Sequence, residues 1–206
     1  MVHNSEKRPR GRPRAYDPDA ALAKAMATFW GAGYAATSLD DLAAATGMNR
    51  PSLYAAFGDK HALYRQALER YRAGARTGLA EALAPERPVR AGLARVYELA
   101  LALYLAGEPG ARGCFLIGTA LTEAVRDPDV RGLLNDALAE FDGALAARLR
   151  LAQATGELPR GRDPETLGRL ASAVLYFLAV RARAGERRAV LEATAAAGVE
   201  LICGPG

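Results

Sequence analysis

The 206-residue chain has only two cysteines, Cys114 and Cys203, and only two histidines, His3 and His61. Two thiols cannot build a disulfide framework, and so few Cys and His residues supply no ordinary zinc set. Neither a metal nor a cofactor is expected. Strand-forming residues are also scarce, with two isoleucines and nine valines against abundant alanine, leucine, arginine and glutamate. That vocabulary favours helix and leaves little from which to build a sheet. Long hydrophobic runs are missing. The longest near-apolar stretch, residues 171–180, is flanked by Arg169 and Arg181 and is about half the roughly twenty residues a membrane span needs. Asp17, Asp19 and Lys24 interrupt the segment after the basic start, which argues against a secretory signal. A cytoplasmic protein without a membrane partner is expected. Catalytic signatures are absent too: there is no Gly-x-Gly-x-x-Gly, no phosphate loop, and one internal histidine for any triad. The chain does not read as an enzyme.

With 50% apolar and 24% charged residues, the chain can bury a real core, so wholesale disorder is excluded. Its charge is unevenly placed. Residues 1–16 hold Lys7, Arg8, Arg10, Arg12 and Arg14 against Glu6, which accounts for the entire formal net charge of +4. The remaining body is neutral. Lys7 to Arg14 reads K-R-P-R-G-R-P-R, a string with no apolar residue, whose prolines and repelling charges keep it extended. Arg10-Gly11-Arg12-Pro13 resembles an AT-hook, and such a strip is thin enough to lie in a narrow A·T-rich minor groove. A solvated tail is the alternative.

Glycine and proline divide the rest into about nine helices, three short ones first, in an all-α fold. Asp17-Pro18 is an N-cap followed by proline at the first helical position. Leu22, Met26, Phe29 and Trp30 keep helical spacing until Gly31 and Gly33. Ser38 and Asp41 form a capping-box pattern that opens a short helix ending at Thr46-Gly47. Asn49 caps a helix over 50–57, and a longer one runs over 59–83. Further helices are expected from Val89, over 114–125, from Asp129 to about Thr155, from Pro164, and from beyond Gly185 to Ile202.

The stretch from Leu39 to Phe57 is the most informative. Ala43 permits close approach, Gly47 accommodates a sharp turn, and Met48 and Leu53 pack the second helix on the first. Two short helices joined by a Gly-containing turn form a helix-turn-helix, completed by the first helix. An ordinary helical hairpin is the alternative. Asn49, Arg50, Ser52 and Tyr54 point outward, and Arg50 lies in the first turn, the part of a recognition helix that meets base edges. Thr37, Ser38 and Lys60 stand at helix N-termini, natural phosphate sites. No carboxylate occurs from Gly47 to Gly58.

The run T-S-L-D-D-L-A-A-A-T-G-M-N-R-P-S-L-Y-A-A-F-G-D-K, residues 37–60, resembles the TetR family of bacterial transcriptional regulators. The likeness spans residues 15–70. It implies an all-helical homodimer whose first three helices bind double-stranded DNA, with repression relieved by a small molecule in the C-terminal part. Carried over by position, Thr37, Ser38, Asn49, Arg50, Pro51, Ser52, Tyr54 and Lys60 are the expected DNA contacts, joined by Arg10, Arg12 and Arg14 of the arm. Ala55 and Ala56 depart from the family, many of whose members carry an aromatic and a histidine there; the arm is a substitute for those backbone contacts.

The expected domains are a basic arm over 1–16, a DNA-binding domain over 17–60 and a ligand-binding and dimerisation domain over 61–206. The C-terminal part offers no comparably sharp motif. Tyr97, Leu101, Tyr104, Cys114, Phe115, Thr119, Glu123 and Phe141 are candidates to line a pocket for an unidentified small-molecule inducer, with core packing as the alternative for each aromatic. Cys114 is either a sensor thiol, its pKa lowered by Arg112, or a small buried residue. The last two helices pair large residues, Leu170, Val174, Phe177 and Leu178, with small ones, Thr194, Ala195, Ala197 and Gly198, a surface suited to a symmetry mate; a monomer whose two helices merely cover the core is the alternative. The expected function is a repressor on a palindromic operator; an architectural DNA binder driven by the arm is the other reading.

Overall fold

Six helices begin on an aspartate, serine or asparagine whose side chain accepts a backbone N–H of the first turn. Such caps satisfy donors that a helix cannot satisfy itself, which is why these starts are sharp. The structure, a computed structural model, describes residues 16–107 and 110–204. Among them the chain forms nine helices and no strand. These are α1 (Pro18–Ala32), α2 (Leu39–Thr46), α3 (Arg50–Phe57), α4 (Lys60–Ala82), α5 (Val89–Tyr104), a short irregular α6, α7 (Pro128–Thr155), α8 (Pro164–Arg183) and α9 (Arg188–Cys203).

The N-terminal unit follows from its apolar faces. Ala25 and Phe29 of α1, Leu42 of α2, Leu53 and Phe57 of α3, and Leu63 and Tyr64 of α4 are all buried. The first turns of α4 complete this core, so the expected boundary at residue 60 falls at the start of a helix that serves both halves. Farther along, Arg72 and Arg76 of α4 pair with Glu140 of α7 at 2.7 and 3.4 Å. The C-terminal helices enclose a second part of the same continuous interior. No helix among the described residues is long and apolar enough to cross a membrane.

The segment 114–125 departs from the regular helix expected of it. Leu116–Ala120 forms a π-helical turn that runs into a single α-turn, Leu121–Glu123; together they make α6. Within this turn, a Cβ on Gly118 would stand 2.8 Å from the Arg183 guanidinium. Arg183 passes over this bare backbone to reach Trp30 O at 3.4 Å and Arg112 O at 3.1 Å. Single π-turns of this kind occur frequently at functional sites.

The helices α7 and α8 cross closely at Gly168. A Cβ on Gly168 would lie 2.9 Å from both Ala146 N and Asp142 O. In a free helix interior, alanine gains roughly 0.5–1 kcal/mol over glycine. Here Gly168→Ala is expected to reverse that sign and destabilise the protein by about 1–3 kcal/mol, because the helices must part. The urea-unfolding midpoint checks it, and a stabilised variant would refute the close approach.

Candidate nucleic-acid interface and effector cavity

The α2–α3 turn is fixed by three local features. Gly47 adopts φ +72°, the left-handed region. The Thr46 hydroxyl donates to Leu42 O at 2.7 Å and accepts from Met48 N at 3.3 Å. Asn49 Oδ1 then accepts Ser52 N–H at 2.9 Å and starts α3. With Met48, Leu53 and Phe57 buried, the opposite side of α3 is set: Arg50, Pro51 and Tyr54 are exposed, and Ser52 is half-buried. Tyr54 is 47% exposed. Lys60 holds its ammonium 4.4 Å from the centre of the Tyr34 ring at the edge of this surface. The arm residues Arg10, Arg12 and Arg14 lie outside the described residues.

Two expected phosphate contacts take on structural work instead. Thr37 is buried, and its hydroxyl donates to Gly33 O at 2.6 Å; it ties the α1–α2 turn together and is withdrawn from the surface. Ser38 is exposed, but its hydroxyl and backbone N–H both donate to Asp41 Oδ2, at 2.6 and 2.8 Å, and its Oγ accepts Asp41 N–H. That is the full capping box, and it leaves the Ser38 hydroxyl proton committed.

The sequence reading missed Asp40. Although residues 47–58 carry no carboxylate, the fold brings Asp40 of α2 onto the same face. Arg50 Nε donates to Asp40 Oδ1 at 2.8 Å and Arg50 Nη2 to Oδ2 at 2.5 Å. This hydrogen bond and charge hold the Asp40 carboxyl below its ordinary pKa. The Asp40/Arg50 separation of ten residues matches no helical spacing, so only the crossing angle of α2 and α3 reveals the pair.

A half-enclosed cavity of ≈ 360 Å³ opens between α6 and α8, lined by Cys114, Ile117, Gly118, Ala179, Val180 and Arg183. Of the eight predicted pocket residues, only Cys114 lines it. Tyr97, Leu101, Tyr104, Phe115 and Thr119 are buried as packing. The Tyr97 hydroxyl donates to Ala171 O at 3.2 Å, and Thr119 accepts from Tyr64 at 2.8 Å. Glu123 and Phe141 are half-buried. The small residues of α8 supply the hollow, a signal that aromatic-seeking reasoning passes over. Burial raises the Cys114 thiol pKa, although Tyr71 donates to its sulfur at 3.3 Å. Arg112 does not approach as a thiolate partner but lies over the Trp30 ring, 5.2 Å from its centre. His61, Asp127 and Asp129 bring ligand-type atoms within 4.8 Å of one another. Asp127 already caps α7 and accepts from His61 at 2.6 Å, and Asp129 is held by Arg65 at 3.1 Å.

On the last two helices the predicted interface divides. Leu178 and Ala195 are buried within the chain, and Gly198 lies under Val174, whose methyls would be 3.1 and 3.2 Å from an added Cβ. The small-against-large fit therefore packs α9 on α8 of the same chain. Leu170, Phe177 and Val180 of α8, with Val190 and Leu201 of α9, remain exposed.

Residues 21–67 match the family described as bacterial regulatory proteins, tetR family, and residues 91–197 match the tetracyclin repressor-like C-terminal domain. The chain belongs to the TetR family. It is a DNA-binding transcriptional regulator. It is 37% identical to the HTH-type transcriptional repressor ComR of Escherichia coli (strain K12), over 87% of this chain and 85% of that protein. It is 35% identical to the HTH-type transcriptional repressor BdcR of the same organism, over 57% of this chain and 59% of that one. A solved structure of the TetR-family regulator CifR, a cysteine mutant complexed with 26-bp double-strand operator DNA, superimposes with a TM-score of 0.84 at 33% identity. That likeness covers 92% of this chain and 98% of CifR.

The α3 cap and the DNA face can be separated in this TetR-family chain. Asn49→Ala is expected to cost about 1 kcal/mol of stability through the lost cap. Asn49→Asp keeps a cap acceptor, so its thermal midpoint should stay near that of the native chain while DNA affinity falls, since a carboxylate then faces phosphate. Unchanged DNA affinity in Asn49→Asp would remove Asn49 from the interface.

Proposed function

We propose that this regulator is a repressor that binds a palindromic operator as a homodimer and is released when a small molecule enters the C-terminal domain. The outward side of α3 carries this reading: Arg50, Pro51 and Tyr54 stand exposed on a short helix whose other side is locked into the core. Asn49, Ser52 and Lys60 flank them, while Thr37 is no longer among the contacts and Ser38 has no free hydroxyl proton to offer. The relatives named repressors, and the CifR complex with operator DNA, support the same reading.

The exposed apolar residues of α8 and α9 are the proposed dimer face. Phe177 at 48% and Leu201 at 59% exposure are costly in water and gain from a symmetric four-helix contact. A dimer places two recognition helices on one side of DNA, one helical turn apart. The α6–α8 cavity is the proposed inducer site. Its volume lies at the lower end of small-molecule pockets, and its Arg183 also holds Trp30 O at the end of α1.

Selection of bound fragments from a random-sequence DNA pool at physiological salt tests the reading. A palindrome with half-sites about one helical turn apart is the expected product. Enrichment of A·T content alone would replace it with the architectural reading, in which the arm dominates. Phe177→Asp is expected to shift the light-scattering mass at micromolar concentration from that of two chains to that of one. Removal of residues 1–14 should weaken binding and flatten the salt dependence by several units, about 0.9 per lost phosphate contact. An unchanged slope would show that the arm does not touch DNA.

A further inference from the structure

We infer that Asp40 is a specificity-determining positioning residue: its carboxylate holds Arg50 by one edge so that the other edge is offered to a guanine in the major groove. The inference rests on the reading of α3 as the sequence-reading helix.

The argument begins with what the pair does not do. The Arg50 and Asp40 side chains are 54% and 73% exposed, and ion pairs so open to water contribute little to folding. Asp40 also brings negative charge to a face that meets phosphate, which weakens attraction to any DNA. The place of Asp40 in the first turn of α2 accounts for a carboxylate there, but neither stability nor general affinity accounts for its two-point grip on Arg50.

The geometry supplies the reason. A guanidinium has five N–H donors in a fixed planar fork. Asp40 takes Nε–H and one N–H of Nη2. The remaining N–H of Nη2 and an N–H of Nη1 lie parallel on the end of the fork. That two-donor edge matches the O6 and N7 acceptors of guanine. Adenine offers only one acceptor there, beside a donor that would face an N–H, so a correctly turned fork discriminates and a loosely turned one does so less. A free arginine also loses much rotamer freedom when it binds. Held beforehand by Asp40, Arg50 has less to lose, and the gain falls on the one base that fits.

The test repeats the pool selection with the full chain and with Asp40→Ala, Asp40→Asn and Arg50→Ala, alongside affinity for a scrambled duplex. The native chain is expected to enrich one guanine in each half-site, and Arg50→Ala to lose that preference. Asp40→Ala should lower it by about tenfold while the other positions keep theirs and binding to the scrambled duplex holds or tightens. Asp40→Asn, which preserves shape and one acceptor oxygen, should fall between. The exposed position makes misfolding a poor explanation, and a thermal melt of each variant checks it. If Arg50→Ala loses the preference but Asp40→Ala retains it with tighter operator binding, the pair is a latch that masks Arg50, and the inference is overturned while the reading of α3 stands. A uniform loss across all positions in Asp40→Ala makes Asp40 merely structural and overturns it as well. Retention of the preference in both variants overturns the reading of α3 too.

Discussion

The structure depends on a contact between aromatic rings that no single helix owns. Trp30, at the end of α1, meets the Tyr71 ring of α4 at 5.1 Å and the Phe115 ring at the mouth of α6 at 5.7 Å. Phe115 also meets Tyr64 at 6.0 Å, and Tyr64 meets Phe29 at 5.1 Å. Rings of this size dominate the burial of any core they join, and close-packed interiors transmit displacement instead of absorbing it. The DNA-binding helices therefore share their interior with α6. A hydrogen bond fixes the joint: burial pushes the Tyr64 phenol up to about 12, and it remains a donor to Thr119. A mobile hinge between the halves would need a thinner connection than this.

That joint touches the proposed inducer cavity through one side chain. Arg183 forms part of the cavity wall and crosses the bare backbone of Gly118 to reach Trp30 O and Arg112 O. A molecule seated between α6 and α8 must therefore either fit beside this guanidinium or displace it. Displacement leaves the wide turn of α6 without its cover and the end of α1 without its clasp. Differential contact of this kind, present in one arrangement and absent in the other, is what any ligand-driven shift requires.

The helices and the helix-turn-helix were legible because their signals are local. Asp17-Pro18, the Ser38–Asp41 box, the Asn49 cap and Gly47 each act within four residues, and the structure holds all of them. What escaped the sequence was set by crossings between elements. Thr37 carries a hydroxyl at a helix N-terminus, yet the α1–α2 turn folds it inward to Gly33. Tyr97, Tyr104 and Phe115 are the large residues one would assign to a pocket, yet the hollow forms where α8 presents Ala179 and α6 presents Gly118. Gly198 reads equally well as facing a second chain or its own, and the position of Val174 decides for its own. Asp40 looked like one more acidic residue in a first turn, until the angle between α2 and α3 set it against Arg50.

The same pair explains a division of labour in the charge. Arg50 is the sole cation of α3, and Asp40 cancels it at short range. The reading face thus brings almost no net positive charge to DNA, although most affinity for a polyanion comes from charge. On the proposed reading, attraction then comes from beside that face: from Lys60 at the start of α4 and above all from the N-terminal arm, whose sequence carries the entire excess of +4. Separating the two tasks has a physical merit. A recognition surface rich in free cations holds every sequence tightly and compresses the ratio between right and wrong sites. A neutralised, pre-oriented fork keeps that ratio wide, and in the proposed reading the arm supplies the sequence-independent hold that loosens as salt rises.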